Sequence, residues 1–120
     1  MDDALAFLAE RPIGVMATVG ADGMPHAVPC EVVVSDGLVY GWCERSAVRA
    51  RNVERTARAA LTAYKGNSFV LVRGPARLLD VHAAGYTDLT AMFLKKYDRI
   101  EAFGNDTLIE ITPERVSARL

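Results

Sequence analysis

Cysteine and histidine are scarce in this sequence, with two residues of each. Two cysteines are too few for a disulfide framework, and Cys30 and Cys43 lack the spacing of a zinc knot, so we expect both to be reduced thiols. His26 and His82 lie far apart, with no carboxylate at a ligand offset. A zinc or iron site is therefore not predicted.

Excess charge and long apolar runs are missing as well. The net charge is -1, so no overall field would attract nucleic acid or an anionic membrane. No segment approaches the roughly 20 apolar residues of a membrane span, and residues 1–5 lack the basic region and apolar run of a signal peptide. We therefore expect a cytoplasmic protein with no nucleic-acid or membrane partner, in which any anion site is local.

The chain does have the composition of a folded domain. Hydrophobic residues make up 51% and charged residues 24% of the sequence, which is typical of a soluble globular protein. A chain of 120 residues buries a single core. We predict one domain over residues 1–120.

The first half of the chain alternates in hydrophobicity with a period of two, which indicates β-strands. Two Asp-Gly pairs, at 22–23 and 36–37, favour tight type I′ hairpin turns. If both turns hold two residues, paired positions sum to 45 (as 22 and 23 do) and to 73 (as 36 and 37 do). This predicts a meander of strands at 13–20, 25–35 and 38–44.

That register sorts the meander into two faces. The inner face would carry small and β-branched residues, as a narrow barrel requires: Ile13, Val15, Ala17, Val19, Val28, Cys30, Val32, Val34, Val39 and Cys43. The other face would carry Met16, Thr18, Pro29, Glu31, Val33, Tyr40, Trp42 and Glu44. This face is too apolar to be left exposed to water. Helices, a partner subunit or a planar ligand could each cover it.

Further helices and strands complete the expected fold. Helices are predicted at 3–10, 46–57 and 82–97, the last with Tyr86, Leu89, Met92 and Phe93 on its buried stripe. Strands are predicted at 59–64, 69–79, 107–111 and 116–120, with a bend at Gly74. Because strands follow one another directly through the first half, the fold class is mainly β: an antiparallel β-barrel of about six to seven strands with three helices.

Residues 40–52 combine the groups that could carry chemistry. A strand ends there, Ser46 could cap the following helix, and Arg49 and Arg51 open that helix. Unpaired backbone N–H groups and the helix dipole favour an anion at this point, and the Arg49 guanidinium could grip a phosphate with two hydrogen bonds. The alternative is a solvated basic face with ordinary surface ion pairs.

The residues beside this stretch allow two interpretations each. The Trp42 ring could form a flat wall for an isoalloxazine ring, or it could simply pack in an interface. Cys30 and Cys43 are interpreted as small core residues rather than redox groups, because nothing basic is expected beside them. Glu31 and Glu44 share a face but are not opposed, so no carboxylate dyad is predicted.

Three segments resemble the split β-barrels of the pyridoxamine 5′-phosphate oxidase-like family. Residues 11–29 resemble the opening hairpin, residues 46–53 and 59–62 the phosphate-binding helix and the next strand, and residues 72–77 the long fifth strand. Their order and spacing are more specific than any one of them. The resemblance implies a homodimer with two flavin sites at the subunit interface.

The resemblance also implies which residues bind the cofactor. It assigns the phosphate to Arg49, Ser46, Arg51 and Asn52, and the ring to Pro29, Cys30 and Glu31, with Trp42 and Cys43 behind it. Glu44 is also expected among the cofactor-binding residues. A second basic residue, often found two positions before Arg49, is Ala47 here, so Arg45 or the partner subunit would have to replace it. No counterpart of the C-terminal substrate-binding segment of true pyridoxamine phosphate oxidases is recognised, so vitamin B6 oxidation is not predicted.

The implied activity is hydride transfer between a bound flavin and a small organic substrate. FMN is the expected cofactor. A deazaflavin of the factor-420 type is the alternative, and its polyanionic tail would favour more basic residues at the pocket mouth. Two other hypotheses stay open: a non-catalytic flavin or haem carrier or sensor, for which His26 is the only barrel histidine, and a structural dimer with an empty cleft.

Overall fold

The computed structural model describes residues 2–98 and 105–120, which form three helices and eight strands. In chain order these are α1 (Asp2–Ala9), β1 (Gly14–Val19), β2 (Pro25–Cys30), β3 (Val32–Ser35), β4 (Leu38–Glu44), α2 (Val48–Thr56), β5 (Arg58–Lys65), β6 (Ser68–Leu79), α3 (Tyr86–Lys96), β7 (Asp106–Ile111) and β8 (Arg115–Arg119). Every predicted helix and strand is present. The eighth strand arises because the segment predicted as one strand at 25–35 breaks at Glu31.

The strands form one curled antiparallel sheet in the order β2-β1-β5-β6-β7-β4-β3, with β8 paired to β6. Strand β6 produces the curl, since residues 68–75 pair with β5 whereas residues 76–79 pair with β7. The ends of the path, β2 and β3, are consecutive in sequence but share no ladder. The predicted antiparallel split barrel is confirmed.

Of the two Asp-Gly hairpins, one has the predicted register and the other does not. Asp36 and Gly37 both have positive φ, at 51° and 77°, and Ser35 pairs with Leu38, so the sum of 73 is confirmed. In the first hairpin Gly14 pairs with Cys30, so paired positions sum to 44 and the predicted 45 is wrong. The loop there comprises residues 20–24 rather than two residues.

The shift of one residue turns strand β1 over, because alternate side chains of a strand point to opposite faces. Met16 and Thr18, predicted to point outward, are 0% and 3% exposed. Ile13, Val15 and Val19, predicted to point inward, are exposed. On the other strands the inner-face assignment holds for residues that lie in the main core: Cys30, Val32, Val39 and Cys43.

The core has two parts. The main core fills the barrel, and α1 and α2 close it with Leu5, Leu8, Ala50 and Val53. A second cluster lies on the outer face of β3 and β4, where α3 packs onto that face; its members include Val33, Tyr40, Trp42, Tyr86, Leu89 and Phe93. The protein's own helix therefore covers this part of the predicted apolar face. Met92 was predicted to lie on the buried stripe of α3, but it is 39% exposed, so that prediction is wrong.

None of the helices in the described part of the chain is both long enough and apolar enough to cross a membrane.

Candidate functional site

A cleft of about 320 Å³ opens where the ends of β2 and β4 meet the start of α2. Strand β2 pairs with β1 up to Cys30, and β3 pairs with β4 from Val32 onwards. The change of partner at Glu31 leaves a gap between β2 and β4. This β2–β4 cleft is lined by Ile13, Pro29, Cys30, Glu31, Trp42, Cys43, Glu44, Arg49 and Asp106. It thus brings together every residue predicted for the ring, with Arg49.

Arg49 extends from the first turn of α2 into the β2–β4 cleft. One of its Nη atoms donates to the carbonyl oxygen of Trp42 at 3.3 Å, and its side chain is half-buried. A guanidinium carries five N–H donors, so others are left for a ligand. Arg49 is therefore suited to hold a phosphate at this end of the cleft.

Cys30 and Cys43 are free thiols in the lining of the cleft. Burial raises the pKa of Cys30 to about 11 and also raises the pKa of Cys43, while the nearby Arg49 guanidinium lowers both by less. The expectation that nothing basic lies beside them is wrong, because Arg49 approaches both. Since burial outweighs that charge, the thiols stay protonated at neutral pH and give the cleft an uncharged, polarisable surface.

The indole of Trp42 points away from the expected position. Its ring is part of the cluster under α3, where its centroid lies 5.3 Å from that of Phe93, and the residue is 6% exposed. Trp42 contributes its backbone carbonyl to the Arg49 contact. The structure therefore assigns this ring to helix packing rather than to a wall of the cleft.

The three remaining predicted residues, Ser46, Arg51 and Asn52, do not line the β2–β4 cleft. Helix α2 begins at Val48 with Ala47 as its N-cap and without a side-chain cap, so the predicted cap by Ser46 is wrong and the hydroxyl lies exposed in the preceding turn. The buried Asn52 amide donates to Thr18 Oγ1 at 3.0 Å and fastens α2 to β1.

Arg45 does not replace the basic residue that is absent at Ala47. Its guanidinium forms an ion pair with Glu54 and lies 3.5 Å from Asp80. Arg45 does not line the cleft, so Arg49 is the one cationic side chain among the described residues that do.

A second cavity of about 560 Å³ lies between the β1–β2 hairpin and α2. We call it the hairpin–helix pocket; its lining includes Pro25, His26, Val48, Arg51, Asn52 and Arg55. His26 is thus placed in this pocket and not in the β2–β4 cleft. Across residues 2–98 and 105–120, no three or more His, Cys, Asp or Glu side chains are grouped to hold a metal ion.

Sequence reasoning missed Ile13 and Asp106 as cleft residues. Ile13 was assigned to the barrel interior through the incorrect first register. Asp106 lies opposite Glu44 in the β4–β7 ladder, which joins strands far apart in sequence without a hairpin between them. No turn in the sequence could have indicated that pairing.

Comparison with known proteins places the chain in a family. The family model described as pyridoxamine 5′-phosphate oxidase matches residues 1–120. The F420H2-dependent biliverdin reductase of Mycobacterium tuberculosis is 27% identical over 122 residues, covering 96% of this chain and 85% of the relative.

Two solved structures share the fold. The heme storage protein HutZ from Vibrio cholerae superimposes with a TM-score of 0.81 at 16% identity, covering 97% of this chain and 92% of HutZ. Atu2129 from Agrobacterium tumefaciens, of unknown function, gives a TM-score of 0.80 at 19% identity over 98% of this chain. This chain spans 56% of the length of Atu2129.

Proposed function

Because the chain belongs to the pyridoxamine 5′-phosphate oxidase family, we propose that it is an oxidoreductase that transfers a hydride between a bound FMN or deazaflavin and a small organic substrate. The observation that carries this proposal is the β2–β4 cleft, where a single guanidinium, that of Arg49, lies beside two buried thiols and the apolar side chains of Ile13 and Pro29. The carboxylates of the lining are Glu31, Glu44 and Asp106. The mycobacterial relative, which acts with F420H2, supports the same class of chemistry.

The residues of the cleft suit such a cofactor. The volume of the cleft, about 320 Å³, is within the range of small-molecule sites. Ile13, Pro29 and the two protonated thiols offer apolar or neutral surface to a flat ring. Arg49 and the unpaired N–H groups of the first turn of α2 offer donors to a phosphate. When bound, the cofactor would supply the hydride chemistry.

The protein's own residues would bind and orient the cofactor. Arg49 would hold the phosphate, and its hydrogen bond to the Trp42 carbonyl fixes the guanidinium at the cleft end of β4. The backbone from Pro29 to Glu31 would lie along one edge of the ring. Protonated Cys30 and Cys43 add neither a charge nor a nucleophile beside it.

Substitution of Arg49 tests this assignment. Arg49→Ala should weaken FMN binding by more than tenfold, because a hydrogen bond to a charged group contributes about 1.5–3 kcal/mol. The dissociation constant is measured by quenching of flavin fluorescence, with Arg119→Ala on the exposed strand β8 as the control. Unchanged affinity would remove Arg49 from the site, and a wild-type protein that binds neither FMN nor a deazaflavin would overturn the proposal.

A carrier or sensor without turnover is the competing proposal, and it is separated by kinetics. An oxidoreductase should oxidise bound reduced cofactor faster when a dye acceptor is present, whereas a carrier should show no such acceleration. A haem role has less support in this cleft, since its lining in the described chain includes no histidine and its thiols are protonated.

A further inference from the structure

The barrel has a seam where β2 and β3, the two ends of the strand path, separate at Glu31. Val32 begins β3 and pairs with Gly41 of β4. Hydrogen-bonded and non-hydrogen-bonded pairs alternate along an antiparallel ladder, and the pair that closes the turn at 36–37 is hydrogen-bonded. Counted from that turn, Val32 and Gly41 form a non-hydrogen-bonded pair. The backbone N–H and carbonyl of Val32 therefore point away from β4, towards the seam.

Lys96, the last residue of α3, and Tyr97 after it bind these two groups. The Tyr97 hydroxyl accepts a hydrogen bond from the Val32 N–H at 2.8 Å, and Lys96 Nζ donates to the Val32 carbonyl at 2.6 Å. The same hydroxyl donates to the Pro12 carbonyl at 2.8 Å, which is closer than the Val32 carbonyl at 3.2 Å. Because Pro12 precedes β1, on the other side of the seam, one hydroxyl joins the two sides.

The residues that Tyr97 joins are sequence neighbours of the cleft lining. Ile13 follows Pro12 and Glu31 precedes Val32, and both Ile13 and Glu31 line the β2–β4 cleft. Tyr97 itself does not line the cleft. Any effect of its hydroxyl on a ligand therefore passes through these two backbone segments.

The Tyr97 ring is held in place independently of its hydroxyl. It stacks on Phe93 with the ring centroids 6.3 Å apart and an interplanar angle of 19°, and Phe93 is fully buried. The cluster under α3 thus fixes where the hydroxyl lies. Removal of the oxygen alone should leave this packing unchanged.

We propose that Tyr97 is a positioning residue for the cofactor ring, whose hydroxyl sets the spacing between residues 12–13 and 31–32 and so the width of the cleft. This inference rests on the proposed function, because it takes the ring to lie along residues 29–31 and the phosphate to lie on Arg49. A ligand site needs supporting residues that hold its walls to within about 0.5 Å. Tyr97 supplies that support at the ring end of the cleft.

Two ligands that differ only in the phosphate test the proposal. Wild-type protein, Tyr97→Phe and Arg49→Ala are titrated with FMN and with riboflavin, and each dissociation constant is measured by flavin fluorescence. Tyr97→Phe should weaken both ligands by the same factor of about ten, because the ring is common to both. Arg49→Ala should weaken FMN more than riboflavin, which separates the two ends of the cleft.

Tyr40→Phe is the matched control. The Tyr40 hydroxyl donates to the buried Glu110 carboxylate at 3.0 Å, and neither residue lines the cleft, so this variant also loses one hydroxyl hydrogen bond. Urea unfolding should show a similar loss of stability in both variants, whereas only Tyr97→Phe should change flavin binding. At saturating FMN, the visible absorption spectrum of the bound flavin should change in Tyr97→Phe and match wild type in Tyr40→Phe, because only the first alters the surroundings of the ring.

Each outcome decides the inference. Unchanged binding of both ligands in Tyr97→Phe, or an equal loss in Tyr97→Phe and Tyr40→Phe, would overturn it while leaving the proposed function intact. A loss confined to FMN would do the same, because the effect would then lie at the phosphate. If wild-type protein binds a deazaflavin rather than FMN, the deazaflavin with and without its phosphate replaces the pair. Failure of wild-type protein to bind any of these ligands would overturn both proposals.

Discussion

Ionisation of Cys30 should make the free energy of unfolding depend on pH in the alkaline range. Burial raises its pKa to about 11, whereas an unfolded thiol ionises near pH 8.5. The folded state therefore holds this proton more tightly, so the stabilisation is complete below the unfolded pKa and is lost as the pH rises through about 11. The contribution of this thiol to the free energy of unfolding should fall by about 3 kcal/mol across that window.

Urea unfolding at pH 7.5, 9, 10 and 11 measures this effect in wild type and in Cys30→Ala. The variant starts lower because it leaves a cavity, but the gap between the two proteins should narrow as the pH rises. Tyrosines and lysines titrate in both proteins, so the difference isolates Cys30. A constant gap would mean that the thiol has an ordinary pKa in the folded protein.

The residues of the candidate site were predictable where sequence neighbours stay neighbours in space. Pro29 to Glu31 lie where β2 gives way to β3, a tight turn joins β3 to β4, and Trp42 to Glu44 end β4. Arg49 follows a few residues later. Asp106 was not predictable, because it reaches the cleft through the β4–β7 ladder. The Trp42 ring was misplaced because α3, far along the chain, covers it.

The two hairpins show why the same dipeptide gives different loops. Asp36 and Gly37 connect Ser35 directly to Leu38, and both adopt the positive φ of a type I′ turn. In the first hairpin the Asp22 carboxylate accepts a hydrogen bond from the backbone N–H of Met24. The backbone N–H of Gly20 donates to the Met24 carbonyl, and the Gly20 carbonyl accepts from the N–H of Gly23. These local hydrogen bonds extend the loop, and the resulting slip of one residue exchanges the two faces of β1.

Strand β6 can pass from one half of the barrel to the other because position 74 is glycine. A Cβ added there would lie 2.1 Å from the Thr112 carbonyl oxygen and 2.9 Å from the Glu114 nitrogen, and both belong to the backbone. Gly74→Ala should therefore lower the free energy of unfolding by about 3 kcal/mol, the upper end of overpacking effects.

Chemical denaturation checks the effect of Gly74→Ala, with Gly20→Ala as the control. A Cβ on Gly20 would lie 2.9 Å from Asp22 Oδ1, the end of a flexible side chain that can move, so that variant should lose much less stability. Equal losses would show that β6 and the segment after β7 can separate without penalty.

At the scale of the whole molecule, helices cover only part of the sheet. α1 and α2 close the barrel and α3 covers β3 and β4, whereas the outer face of β1 and β5 is exposed. Ile13, Val15, Val19 and Tyr64 lie on that face with exposures of 50%, 37%, 49% and 76%. A contiguous apolar surface of this kind marks an interaction site, and a second copy of the chain is the occupant we expect.

A charge placed in the middle of that face tests the homodimer. Wild-type protein should sediment at twice the 13.0 kDa of one chain, whereas Val15→Asp should sediment as a folded monomer, because two carboxylates would have to be buried at the interface. Val81→Asp is the matched control, since Val81 is 60% exposed and lies outside β1 and β5, in the segment between β6 and α3. If the partner subunit helps to form the cofactor site, Val15→Asp should also lower flavin affinity while Val81→Asp should not. A wild-type monomer at micromolar concentration would show that the apolar face serves some other partner.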